Sequence, residues 1–471
     1  MTLAPLRGLI AALDALTLLS AASALALGLL GAFREFVGGY PVTIRWSHAA
    51  FAAVAVAALR HLLRPAPSLV ATLREGWAAL GRRPALRDAA LAFWLTRPVV
   101  LLIGLLAVTA IGPAPAARDA LGRDPMASLP LRFDAGWYAD IAYDGYEWQR
   151  RFDRQQNLAF FPAYPLLMRA VGALTGRRAD ASREDWVRRY TWAGVAISLA
   201  AFFWAAWYLS RTARELLGDE RATAAVLLLA AYPFALFFSA AYTEALFLLA
   251  AAGAWYHFRR AEWARAAAWG LVAGLSRPNG CFLTVALALL ALGVRDAAPA
   301  GWLSRPGRRA RLAALVVAAM PAVGMLVFTF YVYRLTEIWF AWARMHGAWG
   351  RSLASGDLTV TVGSAAGLLQ LAAAHPFQAL NTLGLSFALA LVWPVWRKLG
   401  PAWAAFVLLN VLAPLATGGL LSMGRVTATL FPLFLALAAV LSSRGAMAWA
   451  TMFAMLQGLA AALFFTWREL F

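Results

Sequence analysis

Three carboxylates, Asp134, Asp140 and Asp144, fall within about three helical turns in the stretch Arg132-Phe133-Asp134-Ala135-Gly136-Trp137-Tyr138-Ala139-Asp140-Ile141-Ala142-Tyr143-Asp144-Gly145-Tyr146. On a helix, Asp134 shares a face with Trp137, Tyr138 and Ile141, while Asp140 and Asp144 share a different one. A carboxylate held against aromatic walls at a membrane surface is a candidate general base, because desolvation raises its proton affinity. Two roles without chemistry compete. Asp134 at a helix start is a favoured N-cap, and Trp137 and Tyr138 suit the aromatic belt of a bilayer interface. Asp140 and Asp144 are candidate ligands for a divalent ion shared with a substrate phosphate, or else a solvated face.

Further along, Glu244 is a lone carboxylate at the start of an apolar run, where ionisable groups are costly and mark function. It also suits an interfacial helix cap. Arg277, Arg351 and Arg425 are isolated cations. Each offers bidentate donors to a phosphate, or contact with lipid headgroups. Asn279 lies beside Arg277 in Ser276-Arg277-Pro278-Asn279-Gly280. His346, among Trp339, Trp342 and Trp349, is either a second acid/base or a satisfied interfacial histidine. No cluster with metal-ligand spacing is legible, so no cofactor is required, a divalent cation at Asp140 and Asp144 being the one alternative.

The elements that must carry these residues are apolar. Of 471 residues, 62% are hydrophobic and 14% charged, against about 45–50% and 25% in soluble domains. Apolar runs of roughly 17–25 residues recur, without the alternation of a barrel. The chain reads as an all-α polytopic membrane protein with about thirteen crossings. These lie near Gly8–Phe33, Ser47–Leu63, Leu91–Ile111 and Thr191–Leu209. Two more come from Ala222–Tyr256, split near Ala240–Tyr242, and two flank a hinge at Pro278-Asn279-Gly280. The rest are Leu312–Tyr333, Pro376–Trp396, Ala402–Thr417, Val426–Leu441 and Ala446–Phe465. Residues 158–190, with Pro162 and Pro165, read as re-entrant or interfacial. The first run is too long for a signal-peptide core and reads as a retained helix.

The net charge of +19 belongs to Arg clusters between the spans, which report topology; no nucleic-acid signature interleaves with them. The single cysteine, Cys281, permits no intrachain disulfide. With the 64–90 segment cytoplasmic, the turns 211–221, 257–265, 295–311 and 397–398 become cytoplasmic too. Asp134, Glu244, Arg277, Asn279, His346, Arg351 and Arg425 then share the outer side. The basic stretch Arg177–Arg189 is the exception. No internal repeat of the transporter kind is present.

The run Asp134-Ala135-x-Trp137-Tyr138-x-x-Ile141-Ala142-x-x-Gly145-Tyr146, followed by Ala159-Phe160-Phe161-Pro162-x-Tyr164-Pro165-Leu166, resembles the PIG-V type GPI mannosyltransferases and their bacterial relatives. Tyr232-Pro233 with Tyr242-Thr243-Glu244-Ala245-Leu246-Phe247, Arg277-Pro278-Asn279-Gly280, and Ser422-Met423-Gly424-Arg425 with Leu430-Phe431-Pro432 agree. The resemblance spans roughly residues 94–471, leaving 1–93 as a two-helix extension with a basic cytoplasmic segment. Phe133 departs from the Trp or Tyr of many relatives. The resemblance implies a GT-C-like bundle whose acidic first outer loop carries short helices. It also implies a polyprenyl-phosphate sugar donor, mannose as the sugar, and Asp134 as the catalytic-loop carboxylate. The expected setting is a bacterial cytoplasmic membrane with the site on its periplasmic face. The acceptor (glycolipid, glycan or protein) is open; membrane lipids are partners and nucleic acid is not. Trp137, Tyr138, Glu244, Arg277, Asn279, His346, Arg351 and Arg425 are the expected substrate contacts. The rival classes are a transporter or flippase of a lipid-linked or small solute, and a non-catalytic assembly factor.

Overall fold

The computed structural model describes residues 4–30, 33–37, 40–63, 82–115, 128–174, 182–297, 307–351 and 376–468, with 68, 70–72, 74–75 and 470. Helix α1 (Ala4–Leu30) leads into a hairpin of β1 (Phe33–Val37) and β2 (Tyr40–Ile44), with Phe33 opposite Ile44. The hairpin departs from the all-helical expectation; its signal is Gly38-Gly39 between two short runs rich in aromatic and β-branched residues. Helix α2 (Trp46–Leu63) packs back on α1, and a buried Arg60–Asp14 ion pair at 2.7 Å joins them.

The remaining helices are α3 (Pro84–Leu106, continued by a π-turn Ala107–Ile111), α4 (Ala135–Asp144), α5 (Ala163–Ala173), α6 (Arg183–Leu217), α7 (Asp219–Ala231) and α8 (Glu244–Arg259). After them come α9 (Trp263–Ser276), α10 (Leu283–Ala291), α11 (Arg308–Ala318), α12 (Met320–Thr336), α13 (Ala341–Met345), α14 (Pro376–Lys398), α15 (Pro401–Gly418), α16 (Met423–Ala428), α17 (Phe431–Val440) and α18 (Ser443–Phe465). Among the described residues six helices are long and apolar enough to cross a membrane, or seven if α7 and the turn Pro233–Ser239, bent by 80°, count as one span. The sequence-based figure of about thirteen includes runs that fold as shorter helices, such as Pro278–Ala291, Pro401–Thr417 and Phe431–Val440.

Two boundaries move for identifiable reasons. Helix α3 begins at Pro84 rather than Leu91, with proline in the first turn where its missing N–H costs nothing. The 93/94 division therefore falls inside α3. Helix α6 begins at Arg183 rather than Thr191, because Ser182 and Asp185 form a capping box. Most of the basic stretch assigned outside is thus the first turns of a 35-residue helix; residues 177–181 lie outside the described residues, as do 352–375 of the second polar segment. Residues 158–173 form one 3-10 turn and the short helix α5, whose Pro165 sits in its first turn.

Helix α8 is buried along its whole length and α17 nearly so. A helix apolar on every face belongs inside a bundle rather than against lipid. Between α7 and α8 the chain breaks, because Pro233 forces Tyr232 out of helical geometry (ψ 137°). The carbonyls freed by such a break need partners at this depth. Arg97 of α3 donates to Ala230 O (2.7 Å), Ser239 Oγ (3.2 Å) and Ala235 O, and Gln457 of α18 donates to Ala230 O (2.9 Å) and Tyr232 O (2.8 Å). The break delivers Tyr242 and Glu244 to the end of α8.

The α9–α12 crossing is equally tight. A Cβ at Gly274 would collide with the Pro321 carbonyl, at Gly324 with that of Leu271, and at Gly280 with that of Ala273. Small residues let the backbones touch. We expect Gly274→Ala to destabilise the fold by about 1–3 kcal/mol through overpacking, read as a lower Tm in detergent. Gly307→Ala, whose added carbon meets nothing, is the neutral control; equal Tm for the two variants refutes the expectation.

Candidate active site

Helix α4 starts at Ala135. Asp134 occupies its N-cap position, yet its side chain makes no capping bond. The carboxylate turns away and pairs with Arg425 Nη1 at 2.7 Å. Its backbone is held instead: the Tyr242 hydroxyl accepts from Asp134 N–H (3.1 Å) and donates to the Arg132 carbonyl (3.1 Å). Phe133, directly before, is in left-handed backbone (φ 45°) and packs on Trp467 and Phe464 at 4.6 and 5.7 Å. Arg425 lies in the buried six-residue helix α16, entered through left-handed Ser422 (φ 60°). A side chain at Gly424 would strike the Phe234 ring, so this turn packs backbone against ring.

Arg425 reaches Glu244 through Nε at 2.8 Å, and Arg277 Nη1 meets the same Glu244 oxygen at 2.6 Å. Its guanidinium also lies over the rings of Tyr242 and Phe237, at 4.7 and 5.1 Å. Side-chain exposure is graded: Asp134 21%, Arg277 14%, Arg425 7% and Glu244 0%. Glu244 therefore lies beneath the arginines and pairs with both Arg277 and Arg425. Arg351 donates to the Leu421 carbonyl at 2.7 Å, ahead of Ser422, and lies close enough to Arg425 and Arg277 for burial and their charge to push its pKa down to about 10. Two carboxylates thus face three guanidiniums, leaving one net positive charge.

His346 faces the same group. Burial, reinforced by Arg351 and Arg277, pushes its pKa down to about 4, so it is neutral at pH 7. Its buried Nε2 has no hydrogen-bond partner among the described residues. The shift makes a prediction. The folded pKa is below the ordinary 6.5, so the native state binds fewer protons between those values, and stability drops as pH falls from about 6.5 to about 4. His346→Gln flattens this part of the Tm–pH curve; an unaltered curve refutes the assignment.

The aromatic wall forms in part as expected. Trp137 stacks on Phe160 (5.9 Å), and Trp349 stands edge-on to both (5.7 and 5.6 Å). Tyr138 is buried against Phe160 and Tyr164, its hydroxyl 3.4 Å from Thr243 Oγ1. Asn279 stays outside the cluster, donating to Asn410 Oδ1 at 2.6 Å and tying the hinge to α15. Asp140 and Asp144 converge on one guanidinium. Arg183 Nη2 already takes one oxygen of each, at 2.7 and 3.0 Å, and among the described residues no three His, Cys, Asp or Glu side chains gather.

The basic turns gather at the other end of α8. Arg259 pairs with Asp296 (2.8 Å), Arg260 with Glu215 (2.7 Å), and Arg295 donates to the Arg397 carbonyl (3.3 Å). Sequence reasoning missed two contributors. Arg97 was legible as a lone cation inside an apolar run; Tyr242, one tyrosine among twelve, carries no such signal.

These features define a polytopic helical membrane protein with an acid–arginine cluster at one end of its most buried helix. Residues 123–337 match the family model described as mannosyltransferase (PIG-V). A search of curated proteins returned no match. Two structures of the Archaeoglobus fulgidus oligosaccharyltransferase align, the apo form at 13% identity (TM-score 0.35) and the complex with Zn and sulfate at 15% (TM-score 0.34). They cover 78% and 79% of this chain but 56% and 53% of their own. The chain spans about half the length of these structures, and the likeness is too distant to bear on chemistry.

Proposed function

We propose that the protein is an integral-membrane glycosyltransferase of GT-C type. It moves a sugar, mannose by family likeness, from a polyprenyl-phosphate donor to a hydroxyl acceptor on the outer face of a bacterial cytoplasmic membrane. The observation that carries this reading is the Asp134 carboxylate, turned off its helix cap into a cluster of three arginines. In a single displacement, Asp134 takes the acceptor hydroxyl proton and the acceptor oxygen bonds to the anomeric carbon. The carbon–phosphate oxygen bond breaks, and its electron pair leaves with polyprenyl phosphate. From a β-linked donor the product is inverted. Arg277, Arg351 and Arg425 neutralise the departing phosphate, and the Trp137–Phe160–Trp349 wall packs on the sugar. A phosphodiester donor carries one negative charge, which suits the net charge of the cluster without a metal.

The transporter reading would use the broken α7 segment, but Arg97 and Gln457 already occupy its carbonyls. The test is transfer in proteoliposomes from several labelled polyprenyl-phosphate sugars to membrane acceptors, with chelator present. Labelled product from the mannosyl donor is expected; no transfer from any donor overturns the reading.

A further inference from the structure

We infer that the Asp134–Arg425 pair is a latch opened by the donor. Arg425 is shared in turn by the base and by the leaving-group phosphate. This rests on the proposed function and adds an order of events to it.

Four observations carry it. First, Arg425 serves two carboxylates with different atoms, Nε for Glu244 and Nη1 for Asp134. Glu244 is sealed off and Asp134 is the more exposed partner, so Asp134 is the one a ligand can replace. Second, Asp134 Oδ2 already accepts a charge-assisted bond from Arg425 at 2.7 Å, so that oxygen is turned to the guanidinium and away from an acceptor hydroxyl. Third, the backbones on both sides are pinned. Tyr242 fixes the Asp134 amide and the Arg132 carbonyl, and Arg351 fixes the Leu421 carbonyl. The exchange then needs only rotation of the Asp134 side chain. Fourth, two buried nitrogens beside the cluster, Arg277 Nη1 and His346 Nε2, make no hydrogen bond of good geometry among the described residues. Arg277 Nη1 meets Glu244 as an ion pair at 2.6 Å, so His346 Nε2 is the one left without any partner among them. A phosphate oxygen supplies it.

The donor's phosphate therefore takes Nη1 of Arg425 together with Arg277 and His346, and Asp134 is released toward the acceptor hydroxyl. The base becomes active only when a donor is present, which makes binding ordered, donor before acceptor.

The test uses the full chain in nanodiscs with farnesyl phosphate as the probe. A structure of that complex is expected to show a phosphate oxygen on Arg425, the Arg425–Glu244 contact kept, and Asp134 beyond hydrogen-bond reach of Arg425. In calorimetry Asp134→Asn, which has no charged competitor for Arg425, binds farnesyl phosphate at least about tenfold tighter than wild type. Asp140→Asn, on the same helix but paired with Arg183, binds as wild type does. A bound phosphate with the Asp134–Arg425 pair intact, or equal affinity in Asp134→Asn and wild type, overturns the latch and leaves the proposed function standing. No binding to either protein overturns the proposed function itself.

Discussion

Asp134→Asn is expected to lower sugar transfer by about 10²–10⁴-fold, the usual contribution of a positioned general base, while the protein still folds. The amide keeps the shape of the side chain and loses its basicity. Folding persists because the carboxylate caps nothing: α4 begins without a side-chain cap bond. Arg425 retains Glu244 at 2.8 Å, so the substitution removes one partly exposed ion pair, worth about 1 kcal/mol or less. The measurements are turnover in proteoliposomes and Tm in detergent. Normal turnover sinks the role of Asp134; lost turnover with a collapsed Tm would mean that the residue is structural.

Arg425→Ala is expected to have the largest effect on the fold. It leaves Glu244, fully buried, with Arg277 as its one remaining counter-charge and leaves Asp134 unpaired. Breaking a buried pair from one side costs about 3–5 kcal/mol, and turnover vanishes with it. Arg425→Lys separates the two losses. A lysine restores the charge but lacks the fork that offers Nε to Glu244 and Nη1 to Asp134, and it lacks the plane that lies over Tyr242 and Phe237. We expect Lys to recover part of the Tm and little of the turnover. A wild-type Tm in the alanine variant would refute the network as a stabilising element.

The sequence made the helical membrane class legible because composition and run length alone decide it. It also grouped Asp134, Glu244, Arg277, His346, Arg351 and Arg425 on one side, since charge bias places turns and alternation places the ends of spans. What it could not assign was partnership. Whether Asp134 caps α4 or pairs with Arg425 depends on a contact 291 residues away in sequence, and no local pattern encodes it. For the same reason the pairing of Glu244 with Arg277 and Arg425 is not legible in its local sequence. Asp140 and Asp144 read as a solvated face or candidate ion ligands, and their shared partner Arg183 comes from another helix. Helix ends were misplaced where local chemistry, the Ser182 capping box or Pro84 in a first turn, overrode hydropathy.

Arg97 has a consequence for how the chain is made. Helix α3 enters the membrane with a cation in its interior, which costs about 2.5–3.5 kcal/mol at insertion, and the rest of its apolar surface must carry it in. The carbonyls of Ala230 and Ala235 that satisfy this cation emerge more than 130 residues later, and Gln457, which also holds the Ala230 carbonyl, 360 residues later. The contacts that close the break after α7 are therefore complete only once α3, α7 and α18 have all been synthesised.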